Sequence, residues 1–343
     1  MNRIRINMLS SADKVDGQGV GSAYLELIKL LKEKGKDKFD IQINKGIKDC
    51  DIIHAHTVDL KNYFKIKFSK KPTVSYVHFL PTTLDGSIKL PKPIFHIFKK
   101  YVISFYKNAD NIVVVNPIFI DDLVKIGLDK NKITYIPNFV SKKDFYKKDD
   151  IDKRKIRKQY KLKDTDFVVL GAGQVQTRKG VLDFVEVAKK LPDVKFIWAG
   201  GFSFGNITDG YEELKKVMDN PPENVKFLGI IPRNKMNDLF NMSDLLFVPS
   251  YNELFPMTIL EAMSTDTPLL LRDLELYEDI LFKKYLEATN NDDFALMINK
   301  LKEDKKLYKE QVNNSKEISK YYSEDNVYKI WEKYYEGLIK KED

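Results

Sequence analysis

Residues 245–263 read Leu245-Leu246-Phe247-Val248-Pro249-Ser250-Tyr251-Asn252-Glu253-Leu254-Phe255-Pro256-Met257-Thr258-Ile259-Leu260-Glu261-Ala262-Met263. The opening five residues form an apolar run with the length of a buried strand. Pro256 suits the first position of a helix, because its missing N–H and fixed φ cost nothing there. Met257 to Met263 then reads as that helix. Glu253 stands on the strand-to-helix loop, and Glu261 lies a turn or so into the helix. Between them is a helix N-terminus, whose free N–H groups and positive dipole end suit a phosphate. A carboxylate on each side of an anion site suits a ligand with hydroxyls at both ends and phosphate in the middle. A nucleotide sugar has that form.

The same alternation extends in both directions. Towards the N-terminus, strands read at Ile4–Leu9, Ile52–His56, Thr73–His78 and Ile112–Val115, with a helix from about Ser22 to Lys34. A second alternating unit starts at Phe167–Leu170. It continues through a helix near 181–191, the strands Lys195–Ala199 and Val225–Leu228, and a helix at 234–241. Short β-rich runs alternating with helices argue for parallel sheets. The fold class is therefore α/β, with two doubly wound, Rossmann-like domains facing a central cleft. Ligands are expected at the carboxyl ends of the strands. The boundaries read as a domain over 1–145, a charged linker over 146–165, a second domain over 166–320, and a C-terminal helix over 321–343. That helix carries an aromatic face in Tyr328, Trp331, Tyr334 and Tyr335 and is expected to pack back towards the first domain.

Composition narrows the setting. The one cysteine, Cys50, rules out an internal disulfide and fits a reducing compartment. Ile4–Leu9 is too short and too broken for a secretory signal, and no apolar stretch is long enough to span a membrane. Residues 1–145 hold 25 Lys+Arg against 15 Asp+Glu, a net of +10, which leaves a net of −2 for residues 146–343. Ten lysines between 57 and 107 face only Asp59 and Asp85. Such asymmetry points to an anionic partner for the N-terminal half.

Gly171-Ala172-Gly173-Gln174-Val175-Gln176-Thr177-Arg178-Lys179-Gly180 follows a strand and precedes a helix. Arg178 and Lys179 can grip a diphosphate there. A solvated basic turn is the plain alternative. His54 and His56 share a strand face but have no evident third ligand. Asp49-Cys50-Asp51 and Asp164-Thr165-Asp166 abut strand starts and read as turn caps. No catalytic metal is expected.

With these residues in place, the chain resembles glycosyltransferase family 4, the retaining group with the GT-B fold. The Glu-x7-Glu spacing of Glu253 and Glu261 matches the family motif. Lys179-Gly180, Ile136-Pro137-Asn138 and the loop Gly17-Gln18-Gly19 resemble its other segments. The resemblance implies that Glu261 holds the donor ribose and that Glu253 contacts the transferred hexose. It also implies that backbone N–H groups near Leu254, Phe255, Met257 and Thr258, with Gly17 and Gly19, serve the donor. Lys179 and Arg178 would neutralise the leaving group, and His78 would face the sugar from the acceptor side. Departures are Gln174 where the family has arginine, Leu254 where it has glycine, Phe139 after Asn138, and Asp266 ahead of Pro268.

Two basic-aromatic segments remain. Residues 61–71 carry Lys61, Phe64, Lys65, Lys67, Phe68, Lys70 and Lys71, and residues 92–107 carry Lys99 and Lys100. In the second, Ile94, Phe95, Ile97, Phe98, Tyr101, Val102 and Phe105 fall at helical spacing. That pattern fits either a core-facing helix with a lysine-rich outer face or a surface lying on anionic lipid. The opening Asn7–Gly21 resembles family members that extend glucosyl-diacylglycerol. The resemblance therefore implies an α-hexosyltransferase, peripheral on the cytoplasmic face of the cell membrane. It would move galactose or glucose from a UDP-sugar to monoglucosyl-diacylglycerol. A transferase for a capsule, wall or teichoic acid precursor, and an inactive sugar-nucleotide-binding subunit, stay open as alternatives.

Overall fold

The computed structural model describes residues 3–12, 19–80, 91–203 and 205–340. Its strands form two separate six-stranded sheets. The first contains β1 (Ile4–Leu9), β2 (Phe39–Ile43), β3 (Ile52–Ala55), β4 (Thr73–Val77), β5 (Asn111–Val114) and β6 (Ile133–Tyr135) in the order β2-β1-β3-β4-β5-β6. The second contains β7 (Val168–Ala172), β8 (Lys195–Ala199), β9 (Val225–Phe227), β10 (Leu245–Val248), β11 (Leu269–Arg272) and β12 (Leu286–Ala288) in the order β12-β11-β10-β7-β8-β9. Every neighbouring pair is parallel. Parallel strands covered on both faces need apolar residues on both, which explains runs such as Leu245-Leu246-Phe247-Val248.

Helices connect the strands. The first half has α1 (Gly19–Lys34), α2 (Leu60–Lys67), α3 (Lys92–Asn108) and α4 (Phe119–Lys125). The second has α5 (Asp150–Gln159), α6 (Val181–Lys190), α7 (Tyr211–Asp219), α8 (Arg233–Met242), α9 (Met257–Ser264), α10 (Glu278–Leu281), α11 (Asn291–Glu303) and α12 (Lys305–Tyr321). The last helix is α13 (Glu324–Ile339). This is the GT-B arrangement of two Rossmann-like domains. Among the described residues no helix is long and apolar enough to cross a membrane.

Two expectations change. Pro256 is not the first helical residue: its ψ of 131° is extended, and α9 begins at Met257. A proline can precede a helix as readily as open one, since neither position needs its N–H. The stretch 146–165 is not a plain linker either. It holds α5, capped by the Asp149 side chain, and Arg157 ties it to the second half. The buried Arg157 guanidinium lies 2.6 Å from Asp244 and donates to the carbonyls of Met242, Asp164 and Asp166.

The C-terminal helix lies against the first sheet. Val327, Trp331, Tyr335 and Leu338 form its buried stripe, at helical spacing. Tyr335 Oη is 2.8 Å from His54 Nδ1, and Trp331 packs on His54 and Tyr76. Outside this core, Lys38 bridges to Glu332 and Glu336.

Candidate functional site

In the second sheet the strand order reverses between β7 and β10, so their carboxyl ends open the crevice where such sheets bind ligands. Lys179 follows β7 and Glu253 follows β10. The close approach of these two loops depends on Gly180, whose φ is +67° and where a Cβ would sit 2.3 Å from the Pro249 carbonyl oxygen. No other residue fits this close approach. It brings Lys179 Nζ to 2.5 Å from Glu253 Oε1 and Arg178 Nη1 to 3.7 Å from Oε2. Arg178 also donates to the Asn252 carbonyl at 3.0 Å. Burial pushes the Glu253 carboxyl up, but Lys179, then Arg178, outweigh it and hold it below the usual carboxylate range. Burial pulls the Lys179 ammonium down against the pull of Glu253. Glu253 also adds to the burial that keeps the Tyr277 phenol protonated.

Glu261 belongs to a second ion cluster. Its Oε1 is 2.5 Å from Arg233 Nη1, and Arg233 Nη2 is 2.6 Å from Glu26 Oε1. The guanidinium lies over the Phe145 ring at 4.8 Å. Glu26 sits on α1 of the first half and also accepts from the Ser141 N–H. Burial raises the Glu26 carboxyl more than Arg233 lowers it. The two motif glutamates are thus held by different cations. Sequence reading missed Arg233 and Glu26. Arg233 follows Pro232 with no motif around it. Glu26 carried a signal, an acid among the buried Ala23, Tyr24, Leu27 and Ile28 of α1.

The loop between the glutamates is gripped from the first half. Asn116 donates to the carbonyls of Leu254 at 3.1 Å and Leu276 at 2.8 Å, and Asn138 to that of Phe255 at 3.3 Å. Leu254 packs against two hydrophobic clusters, one of them the first half's core. That gives the side chain at this departure a packing role. The Phe255 ring is buried on Tyr322, and with its carbonyl taken by Asn138 it has its backbone N–H to offer a ligand. Met257 is buried and Thr258 half-buried in the first turn of α9.

On the other side, Gly17 lies outside the described residues. Gly19 opens α1, and among the described residues nothing lies within 4 Å of where a Cβ would stand. His78 follows β4, half-buried, with Nε2 3.3 Å from His56 Nδ1 and its ring 4.4 Å from that of Tyr76. Burial pushes its imidazole down to about 3.

The basic-aromatic segments form α2 with the residues just after it, and α3; Tyr63 of α2 hydrogen-bonds Ser104 of α3, and Tyr101 of α3 donates to the Val58 carbonyl just ahead of α2. The core-facing reading holds only for the second half of α3, where Val102, Phe105 and Tyr106 are buried. Ile94 and Ile97 in its first turns are 54% and 67% exposed, and Phe64 on α2 and Phe68 just after it are 53% and 66% exposed. Lys61, Lys67, Lys70, Lys71 and Lys100 are exposed beside them. Lys65 instead turns inward to the Lys45 carbonyl at 2.8 Å, and Lys99 lies over the Phe95 ring.

Comparisons with known proteins agree with this fold. The family profile described as Glycosyl transferases group 1 matches residues 152–318, and Glycosyltransferase Family 4 matches residues 19–143. The alpha-galactosylglucosyldiacylglycerol synthase of Streptococcus pneumoniae is 46% identical over 97% of this chain and 90% of its own length. The processive diacylglycerol alpha-glucosyltransferase of Acholeplasma laidlawii is 29% identical, over 82% and 83% of the two chains. Among solved structures, Anabaena HepE in complex with UDP-glucose superposes with a TM-score of 0.78 at 17% identity, covering 98% and 100%. Sucrose-phosphate synthase from Thermosynechococcus elongatus gives 0.79 at 15% identity, covering 99% and 100%. The last two speak for the fold alone.

Proposed function

This chain belongs to glycosyltransferase family 4, and on that premise we propose that it moves a hexose from a UDP-sugar to monoglucosyl-diacylglycerol, with retention of α configuration. The observation that carries the reading is the pair of cations, Lys179 and Arg178, converging on the buried Glu253 at the switch point of the second sheet. A departing nucleoside diphosphate gathers negative charge as an oxocarbenium-like centre forms on the sugar. Cations already fixed beside it stabilise that charge without reorganising. Lys179 neutralises Glu253 in this geometry. An arriving diphosphate would compete for the ammonium, and Glu253 would then meet the hexose. Glu261 is assigned the ribose, and the loop held by Asn116 and Asn138 the diphosphate. His78, Gly17 and Gly19 are assigned to the sugar and donor from the first half. With these cations in the place a divalent ion would take, catalysis is proposed to need no metal.

The acceptor reading is supported by the diacylglycerol-glycosylating activities for which the pneumococcal and Acholeplasma relatives are named and by the exposed Phe64, Phe68, Ile94 and Ile97 among lysines. At roughly 1 kcal/mol per surface lysine, Lys61, Lys67, Lys70, Lys71 and Lys100 would hold this domain on anionic lipid, peripherally. The domain over 1–145 would then meet the lipid and the one over 166–320 the donor. Radiolabelled UDP-galactose and UDP-glucose, offered with monoglucosyl-diacylglycerol in mixed vesicles, test the proposal. A diglycosyl lipid with an α linkage is expected, galactose being favoured by the pneumococcal name. Donor binding without transfer from either UDP-sugar would overturn it.

A further inference from the structure

His56 is 2% exposed and is enclosed by the rings of Tyr24, His54, Tyr76 and His78. Its two ring nitrogens differ. Nδ1 lies 3.3 Å from His78 Nε2. Nε2 is fully buried and meets no hydrogen-bond partner among the described residues. A neutral imidazole carries one N–H and one bare nitrogen, and the surroundings decide which is which. Placing the proton on Nε2 would bury a donor with no acceptor, and orphaned buried N–H groups are rarer than under-satisfied acceptors. Placing it on Nδ1 satisfies the donor at once, because His78 Nε2 stands within reach. Burial keeps both rings neutral, pushing His56 well below the ordinary imidazole value and His78 to about 3.

We propose that His56 is a positioning residue that fixes the tautomer of His78: His56 Nδ1–H donates to His78 Nε2, so His78 carries its own proton on Nδ1. His78 then offers the sugar side a hydrogen-bond donor and has no free basic nitrogen. This rests on the role given to His78 above and refines it. The imidazole orients a hydroxyl or carbonyl oxygen of the substrate and does not abstract a proton from the attacking acceptor. Front-face attack leaves that proton to the departing diphosphate, so a basic imidazole is not needed.

The chain has four histidines, so ring-nitrogen NMR of protein labelled with 15N-histidine can resolve each one. His96, exposed on α3, supplies the internal reference for a free ring. The expected result is a bare Nε2 and protonated Nδ1 for His78 in the unliganded protein. His56→Leu removes the donor, and the His78 proton should then move to Nε2 in a large fraction of molecules. His56→Asn places an amide N–H near the Nδ1 position and should retain the native tautomer. Transfer should fall about tenfold in kcat for His56→Leu, the size of one hydrogen bond, with donor KM unchanged and His56→Asn nearer wild type. A protonated Nε2 on His78 in the wild-type protein overturns the proposal, and that spectrum decides even if His56→Leu fails to fold. The spectrum needs neither donor nor acceptor, so it stands apart from the proposed reaction. If His78→Asn left transfer intact, the role of His78 would fail while the tautomer assignment held.

Discussion

The two halves of the cleft solve opposite electrostatic problems with opposite materials. The C-terminal half places formal charges in contact: Lys179 and Arg178 on Glu253, and Arg233 on Glu261, with Arg233 also reaching across to Glu26 of the N-terminal half. The N-terminal half packs His54, His56 and His78 among Tyr24, Tyr76, Trp331 and Tyr335, and burial keeps these imidazoles neutral. The difference teaches which half is built for which partner. A diphosphate needs fixed cations, and fixed cations need carboxylates to hold them when the ligand is absent. A sugar hydroxyl needs only oriented hydrogen bonds, and these are strongest in a low-dielectric, uncharged pocket.

The sharpest way to break the comparison is to remove charge from the donor side. Lys179→Met is expected to lower kcat by about a thousandfold, the upper range for one preorganised electrostatic group. Glu253→Gln should cost far more in turnover than in UDP binding, whereas Glu261→Gln should weaken UDP binding. Steady-state kinetics with calorimetric UDP titration separates the two. Equal effects of both variants on both quantities would contradict the assigned roles.

Arg233 tests whether the second cluster joins the halves. Arg233→Met leaves Glu26 and Glu261, each with a side chain 4% exposed, as neighbouring carboxylates without a cation. Breaking a buried pair costs about 3 kcal/mol or more. A drop of that size is expected in urea unfolding near neutral pH, with part of it recovered by Glu26→Gln in the same chain. An unchanged stability would show that solvent already screens this cluster.

Acid separates the halves next. Unfolded imidazoles titrate near 6.5, and in the fold His54 and His78 are pushed down to about 3 by burial. Between those values the unfolded chain binds more protons, so stability falls as pH falls, and above 6.5 these groups add no slope. Each imidazole shifted in this way contributes about 1.4 kcal/mol per pH unit in that window. The Glu253 shift has the other form: its carboxyl is lowered, so the stability it adds persists down to the ordinary carboxylate range and is lost below it. Hydrogen exchange near pH 5 should therefore open the N-terminal sheet before the C-terminal one. Simultaneous opening would mean that α13 welds the halves into one cooperative unit.

Much of this contrast was legible in the chain. The apolar run into Ser250–Met263 announced a strand and a helix, and the lysines behind the charge asymmetry at 61–71 and 99–100 are exposed except Lys65 and Lys99. The four strands β2, β6, β11 and β12 were not read. β2 and β6 are only partly buried and mix polar residues, as in Phe39-Asp40-Ile41-Gln42-Ile43. Pairing with neighbours, which no local pattern encodes, makes them strands. Arg233 was invisible for a similar reason. Its partners lie 28 and 207 residues away, and only the packing of α1 against α9 brings them together. The exposed first turns of α3 show the limit of periodicity: helical spacing identifies an apolar face but does not say whether protein or something else covers it.

That uncovered face yields the smallest expected effect and the finest test of the comparison, because it asks whether the N-terminal half's charge or its aromatics anchor it. Phe64 and Phe68 stack at 6.2 Å with more than half of each side chain exposed. Inserting what is exposed removes on the order of 100 Å² per ring from water at best, or about 2 kcal/mol each as an upper bound. A Phe64→Ser, Phe68→Ser double variant should weaken binding to anionic vesicles by roughly tenfold or more at fixed salt. Its salt dependence should match wild type, because no cation has been lost. Lys70→Gln with Lys71→Gln should instead flatten the salt dependence, since each lysine gives up about 1 kcal/mol of screened attraction. If the phenylalanine variant changed the salt slope and the lysine variant did not, the rings would be ordering the lysines, and the surface would have to be reassigned.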